Sequence, residues 1–557
     1  MSKRVLIVGG VAGGASTAAR LRRLDEDTEI ILFERGPYIS YANCGLPYHV
    51  GGVIPNRKAL LLLTPEVMRG RFNVDVRVMH EVTSIDRAGK TVTVRDIEKG
   101  ADYTERYDTL VLATGSQPVI PPVLGCDSPR VMTMWTVTDT DRINAFIKEQ
   151  DVKSAAVVGG GFIGLEIAEN LHHLGLGVTI VEMLNQVLAP LDNEMARILH
   201  GHIAGQGVGL MLGKGVEALE EAEGKVTLRL QGGGALTADM VIMCVGVRPN
   251  SALAKNAGLA INQRGGIVTD AFMRTSDPAI YAVGDAVEVE DFVTGGRTMI
   301  PLAGPANKQG RIAAGNILGG SEAYKGTQGA AIVKVFDLDA ATLGHNEKML
   351  ARQGLVRGQD YETITIAQDN HARYYPGAKM VVLKMLFSLS DRRILGAQIV
   401  GREGVDKRID TLSVAMRLGA KATDLGSLEM AYAPPYSSAK DPVNMLGFAA
   451  ENLLAGRLTL ADWDAPDHAG PDTLLLDVRE VAEYNVYMLP GALNIPLGEL
   501  RGRLDEVPRG KEIIVFCRIG VRAHTASMML QHHGYDNVKV YPGGMQFYLA
   551  THQEVST

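Results

Sequence analysis

The chain has 557 residues, 46% hydrophobic and 21% charged, enough for three or four globular domains with cores of their own. A net charge of −7 and a pI near 6.0 argue against a nucleic-acid-binding surface. No apolar run approaches the roughly 18 residues of a membrane span, so no membrane partner is expected.

In chain order, MSKRVLIVGG passes from two basic residues straight into a strand at 3–9, which predicts no leader. A helix follows at 15–24 and a second strand at 29–34. The turn between the first strand and the helix carries Gly9, Gly10, Gly13 and Gly14. Val11 stands there where a dinucleotide fingerprint has its middle glycine. Glu34, with Arg35 after it, ends the second strand. Buried strands are predicted at 108–114 and 153–159, a helix at 162–175 and a strand at 177–182. Here Gly159, Gly161 and Gly164 complete G-x-G-x-x-G, and Glu182 ends the next strand. Such glycines let the backbone approach a pyrophosphate at a helix N-terminus, while the acid holds a ribose hydroxyl. Glu182 repels a 2′-phosphate and so favours NADH, although basic residues elsewhere would still admit NADPH. The repeated strand–turn–helix predicts two nucleotide-binding units; the competing reading of each is a glycine turn that binds nothing.

The pattern changes to α+β near 327–450, with strands at 380–386 and 394–401 and a helix at 405–418. Residues 455–471, rich in Asp, Pro and Gly, read as a linker. A compact α/β unit then runs from 472 to 557.

Cys44, Cys126, Cys244 and Cys517 are widely spaced and form no CxxC, so no metal site is expected, and a reducing cytoplasm is. Cys44 lies in SYANCGLPYHVGG among small residues. A helix beginning at Gly45 would lower its pKa and favour the nucleophilic thiolate. The alternative is a buried structural cysteine. Cys517 follows the strand IIVF and opens a glycine-containing loop that ends at Arg522. Its backbone N–H groups form an anion nest, and Arg518 and Arg522 add positive charge.

Glu34, the run Ala113, Thr114 and Gly115, the GD ending at Asp285, and Gly246 in MCVGVRPN together resemble the flavoprotein disulfide reductases. The resemblance covers about residues 1–450. It implies FAD on a discontinuous unit of 1–118 and 251–326, NAD(P)H on an inserted unit of 119–250, and a dimerisation domain at 327–454. Cys44 has no second cysteine close after it, which resembles the single-cysteine branch containing coenzyme A disulfide reductase, NADH oxidase and NADH peroxidase. By that resemblance Ser40 and Asn43 lie near the sulfur, and Arg23 and Arg71 contact coenzyme A phosphates. The same resemblance implies that Tyr374 and Tyr432 complete the site across a homodimer interface, where a phenol can protonate a departing thiolate; the alternative is interface packing. The series LLLDVRE, PGALNIPL, FCRIGVRA and YPGGM resembles rhodanese domains over 472–557. The C-x4-R loop is shorter than the C-x5-R of phosphatases on the related fold. Ile519 sits where many rhodaneses carry a small or hydroxyl residue.

The expected architecture is therefore α/β: two Rossmann-like domains, an α+β dimerisation domain and a C-terminal rhodanese-like α/β domain. The expected activity is NADH-dependent reduction of a small-molecule persulfide or disulfide. Cys517 would supply sulfane sulfur, and coenzyme A would serve as substrate or bound thiol. The rivals are coenzyme A disulfide reduction, NADH oxidase or peroxidase activity, and a sulfur carrier or redox sensor.

Overall fold

Continuous apolar runs such as VLIV and EIILF can be buried on both faces only in a parallel sheet covered by helices. A computed structural model describes residues 3–553 and contains two such sheets. The first orders the strands Ile280–Ala282, Thr109–Leu112, Arg4–Val8, Glu29–Glu34 and Asp75–Val78, all parallel. The second contains Gly177–Glu182, Ser154–Val158, Met240–Met243 and Val131–Thr133, also parallel. In each, the founding strand runs into a glycine turn and a helix, Ala12–Leu24 in one and Phe162–His173 in the other. The first helix starts three residues before its predicted onset, because Gly13 and Gly14 lie inside it. A Cβ on Gly14 would fall 1.8 Å from the Gly9 carbonyl oxygen, so the glycine is required by helix–turn packing.

The described chain divides into two compact units, one ending at Met183 and resuming over Met211–Gly329, the other comprising Leu184–Leu210 and the chain from Ala330 onward. The helix Asn193–Gly205, expected within the inserted nucleotide unit, thus groups with the C-terminal half. Lys384, 1% exposed in an otherwise apolar strand, explains this grouping. Its ammonium meets Asp192 at 2.8 Å and also contacts Glu194 and Glu347. Lys348 Nζ donates to the Leu191 carbonyl at 2.7 Å, and Asn346 Nδ2 to the Pro190 carbonyl at 3.0 Å.

The second unit holds an antiparallel sheet ordered Ala331–Val335, Leu338–Gly344, Ile394–Gly401, Met380–Ser388 and Tyr361–Asp369. It also holds the helices Val405–Arg417 and Pro442–Leu454. After these comes a parallel sheet ordered Leu493–Asn494, Thr473–Asp477, Glu512–Phe516 and Val538–Val540. The four-part α/β architecture is the one expected from the sequence. The segment read as a linker is a correction. Leu458 and Ala461 are buried, and Leu458 joins the core of the C-terminal sheet. Val540 N donates to the Thr459 carbonyl and Ala461 N to that of Val540. Polar turn residues hid a short β-addition of about three residues. Among the described residues, no helix is long and apolar enough to cross a membrane.

Candidate functional site

Both glycine turns are built alike. Gly9 and Gly159 have φ of +101° and +107°; a Cβ on Gly9 would meet the Ala113 carbonyl oxygen at 2.1 Å, and one on Gly159 that of Cys244 at 2.3 Å. Gly10 N donates to Glu34 Oε2 at 2.9 Å, and Gly160 N to Glu182 Oε2 at 2.7 Å. The two acids therefore tie the end of one strand to the turn after its neighbour. Gly161 has no atom within 4 Å of its Cβ position, so that flank is open for close approach. Val11, its counterpart, has φ −93° and ψ −138°, so that position does not need the positive φ that Gly9 and Gly159 adopt. Gly13 packs against Val283, and Gly164 against the Gly159 carbonyl.

Burial pushes the Glu34 carboxyl above its usual range. A cavity of about 420 Å³ is lined by Gly9, Glu34, Arg35, Val82, Thr114 and Asn250. Thr114 and Asn250 are cross-linked, hydroxyl to carbonyl at 2.7 Å and amide to carbonyl at 2.9 Å. Gly115, at φ +62°, turns the chain to Ser116, whose hydroxyl donates to Asp285 at 2.8 Å. Asp285 is held above its usual range by burial. Gly246, at φ +111°, has open space at its Cβ position. Glycine turns with carboxylates beside them fit a dinucleotide at each unit, and the cavity lies at the first.

Cys44 is exposed, in a 3-10 turn Asn43–Gly45 that leads into the short helix Leu46–Val50. Its thiol is nevertheless pushed up rather than lowered, first by the surrounding protein and then by the carboxylates of Glu166 and Asp285. The helix that follows is only five residues long. Glu166 carries no sequence signal of its own, because it lies inside the helix Phe162–His173, where an acid has no motif. Burial raises it to about 7, and Tyr48, one turn after Cys44, donates to it at 3.3 Å.

Ser40 holds a left-handed φ of +42°; its N–H reaches the Gly10 carbonyl and its carbonyl receives Leu62 N. The cysteine segment is thereby fastened to the first glycine turn. Arg23 and Arg71 are both exposed, and Arg23 lies 5.1 Å over the ring of Phe72, the residue beside Arg71.

In the second unit the phenols of Tyr374 and Tyr432 hydrogen-bond at 2.7 Å while 76% and 46% exposed. That bond raises the Tyr374 pKa. Cys517 follows the strand Glu512–Phe516 and is 1% exposed; Gly520 N donates to its sulfur at 3.0 Å. The two loop arginines are not free charges. Arg522 pairs with Glu483 at 2.6 Å and Arg518 with Asp369 at 3.1 Å. Neither acid was identified from sequence, since each lies far along the chain from its partner. Three carboxylates, Asp192, Glu194 and Glu347, meet elsewhere, and the Lys384 ammonium stands among them.

A family model described as pyridine nucleotide-disulphide oxidoreductase matches residues 3–310, its dimerisation domain 330–442, and a rhodanese-like domain 461–551. The fold matches the crystal structure of reduced Bacillus anthracis CoADR-RHD with TM-score 0.94 and 48% identity, covering 99% of this chain and 98% of that one. It matches an NAD-dependent persulfide reductase from A. fulgidus with TM-score 0.92 and 39% identity, covering 98% and 99%. A coenzyme A disulfide reductase of Staphylococcus haemolyticus is 34% identical over 452 residues, which is 81% of this chain and all of that protein.

Proposed function

The chain belongs to the pyridine nucleotide-disulphide oxidoreductase family, and from that premise we propose that it is an FAD- and NADH-dependent reductase of persulfides, coenzyme A persulfide among them, fed with sulfane sulfur by its own C-terminal domain. One observation carries the reading. A thiol with no second cysteine in its segment, Cys44, shares a chain with a loop-borne Cys517 whose sulfur is met by a backbone N–H. The reduction of a coenzyme A disulfide needs no sulfur-transfer domain, whereas the reduction of a persulfide uses one.

The first glycine turn, Glu34, Arg35, Thr114 and Asp285 would hold FAD; Gly159, Gly161, Gly164, Glu182 and Gly246 would hold NADH. Bound FAD would supply Cys44 with an electron pair taken from NADH. The Cys44 thiolate attacks the thiol-side sulfur of R–S–SH, releasing HS⁻ and forming a Cys44–S–S–R disulfide. Two electrons and a proton return this to the Cys44 thiolate and RSH. The sum is NADH, a proton and RSSH giving NAD⁺, RSH and H₂S. Tyr374 and Tyr432, hydrogen-bonded to each other, supply the proton that a departing thiolate needs, in a homodimer. Ser40 and Asn43 shape the approach to Cys44, and Arg23 and Arg71 take phosphates of the coenzyme.

Coenzyme A disulfide reduction is the second reading, favoured by the identity to the Staphylococcus enzyme over 81% of the chain. Anaerobic NADH consumption with coenzyme A persulfide, coenzyme A disulfide or oxygen, together with measured sulfide release, separates the readings. Faster turnover of the disulfide than of the persulfide would overturn the first.

A further inference from the structure

Arg518 directly follows Cys517, yet its guanidinium leaves the loop and meets Asp369 in a two-pronged pair, 3.1 Å to Oδ1 and 3.3 Å to Oδ2. The side chains are only 19% and 14% exposed. Asp369 belongs to the antiparallel sheet, as the last residue of the strand Tyr361–Asp369, and the hairpin it opens carries Tyr374. The root of that hairpin is fixed separately. Arg408, fully buried, donates to the Asn370 carbonyl at 2.7 Å and to Asp441 at 2.9 Å. Asp441 accepts from Ser437 at 2.5 Å, and Ala372 N donates to the Ser437 carbonyl at 3.0 Å. The segments bearing Tyr374 and Tyr432 are thus tied together at their bases as well as through their phenols.

On its other side the cysteine loop is gripped by the helix Gly544–Thr551. Met545 N donates to the Cys517 carbonyl at 2.8 Å and Gln546 N to that of Arg518 at 3.0 Å. A Cβ on Gly544 would lie 2.5 Å from the Cys517 carbonyl oxygen. The helix therefore sets the loop's backbone, and the Arg518–Asp369 pair joins it to the tyrosine hairpin. Removing Asp369 would uncouple the loop from the tyrosine hairpin while the helix still holds the loop's own backbone.

We propose that Asp369 is a positioning residue for sulfur delivery: through Arg518 it holds the Cys517 loop in register with the Tyr374–Tyr432 pair, so that sulfane sulfur passes to a thiol reduced beside those tyrosines. The inference rests on the persulfide-reductase reading. In the transfer, an acceptor thiolate R–S⁻ attacks the outer sulfur of Cys517–S–SH. The S–S bond breaks, Cys517 leaves as thiolate and R–S–SH forms; the sulfane sulfur moves between thiols without an external oxidant or reductant.

The test uses the full-length flavoprotein with Asp369→Asn, and three assays. These are NADH oxidation with preformed coenzyme A persulfide, NADH oxidation with inorganic polysulfide plus coenzyme A, and sulfur transfer from polysulfide to cyanide. The second should fall on the order of tenfold to a hundredfold, the loss that small misplacement produces, while the first and third stay within about twofold. Asp369→Glu should restore most of it. An unchanged second assay, an equal loss in the first or third, or no recovery with Asp369→Glu overturns the positioning role. Cys517→Ser is the separate control: if it leaves the second assay intact, the relay itself fails, whatever Asp369 does.

Discussion

At Cys44 burial first, and then the carboxylates of Glu166 and Asp285, hold the thiol above its usual range. Cys44→Ser should abolish persulfide-dependent NADH oxidation while the purified protein keeps its flavin colour; retained turnover would disprove the assigned nucleophile. Tyr374→Phe and Tyr432→Phe should each lower kcat by about tenfold to a hundredfold, the range of a lost proton donor, with the pair far from additive. Glu166 also makes stability depend on pH. Its folded-state pKa, about 7, lies above its ordinary value, so its contribution is complete below that ordinary value and is lost as pH rises through 7. Urea midpoints of flavin-free protein should fall between about pH 5 and about pH 8, and Glu166→Gln should flatten that slope. The turn that exposes Cys44 and the loop that Cys517 opens were legible because the short segments around them carry their local structure. Glu166, Glu483 and Asp369 were not, because their importance comes from partners brought near only by folding.

Among the elements, the glycine turns were the most readable, since Gly9 and Gly159 meet carbonyl oxygens that no Cβ can approach. Gly159→Ala should raise the KM for NADH strongly while leaving flavin content unchanged. Spectral titration with NADH checks this outcome. The onset of the first helix was misjudged because Gly13 and Gly14 look like turn residues until the packing against Gly9 is seen. Lys384 broke the apolar pattern of its strand without revealing that three acids would converge on it.

On the scale of the whole molecule, those acids hold the stretch Leu184–Leu210 to the antiparallel sheet. Lys384→Met would leave the carboxylates facing one another, and a loss of about 3–5 kcal/mol in urea unfolding is expected. The fold class was legible throughout from the order of strands, turns and helices. The division between units was not, because ion pairs and carbonyl contacts across long sequence separations decide it. The stretch around Leu460 shows the same difficulty at its smallest. By lying along Val540 it shields the outer edge of the last sheet, which would otherwise offer unpaired amides and carbonyls to solvent. A C-terminal fragment begun after Ala461 would lose that cover and be prone to self-association through the bared strand, whereas one begun near Arg457 would keep it and remain monodisperse.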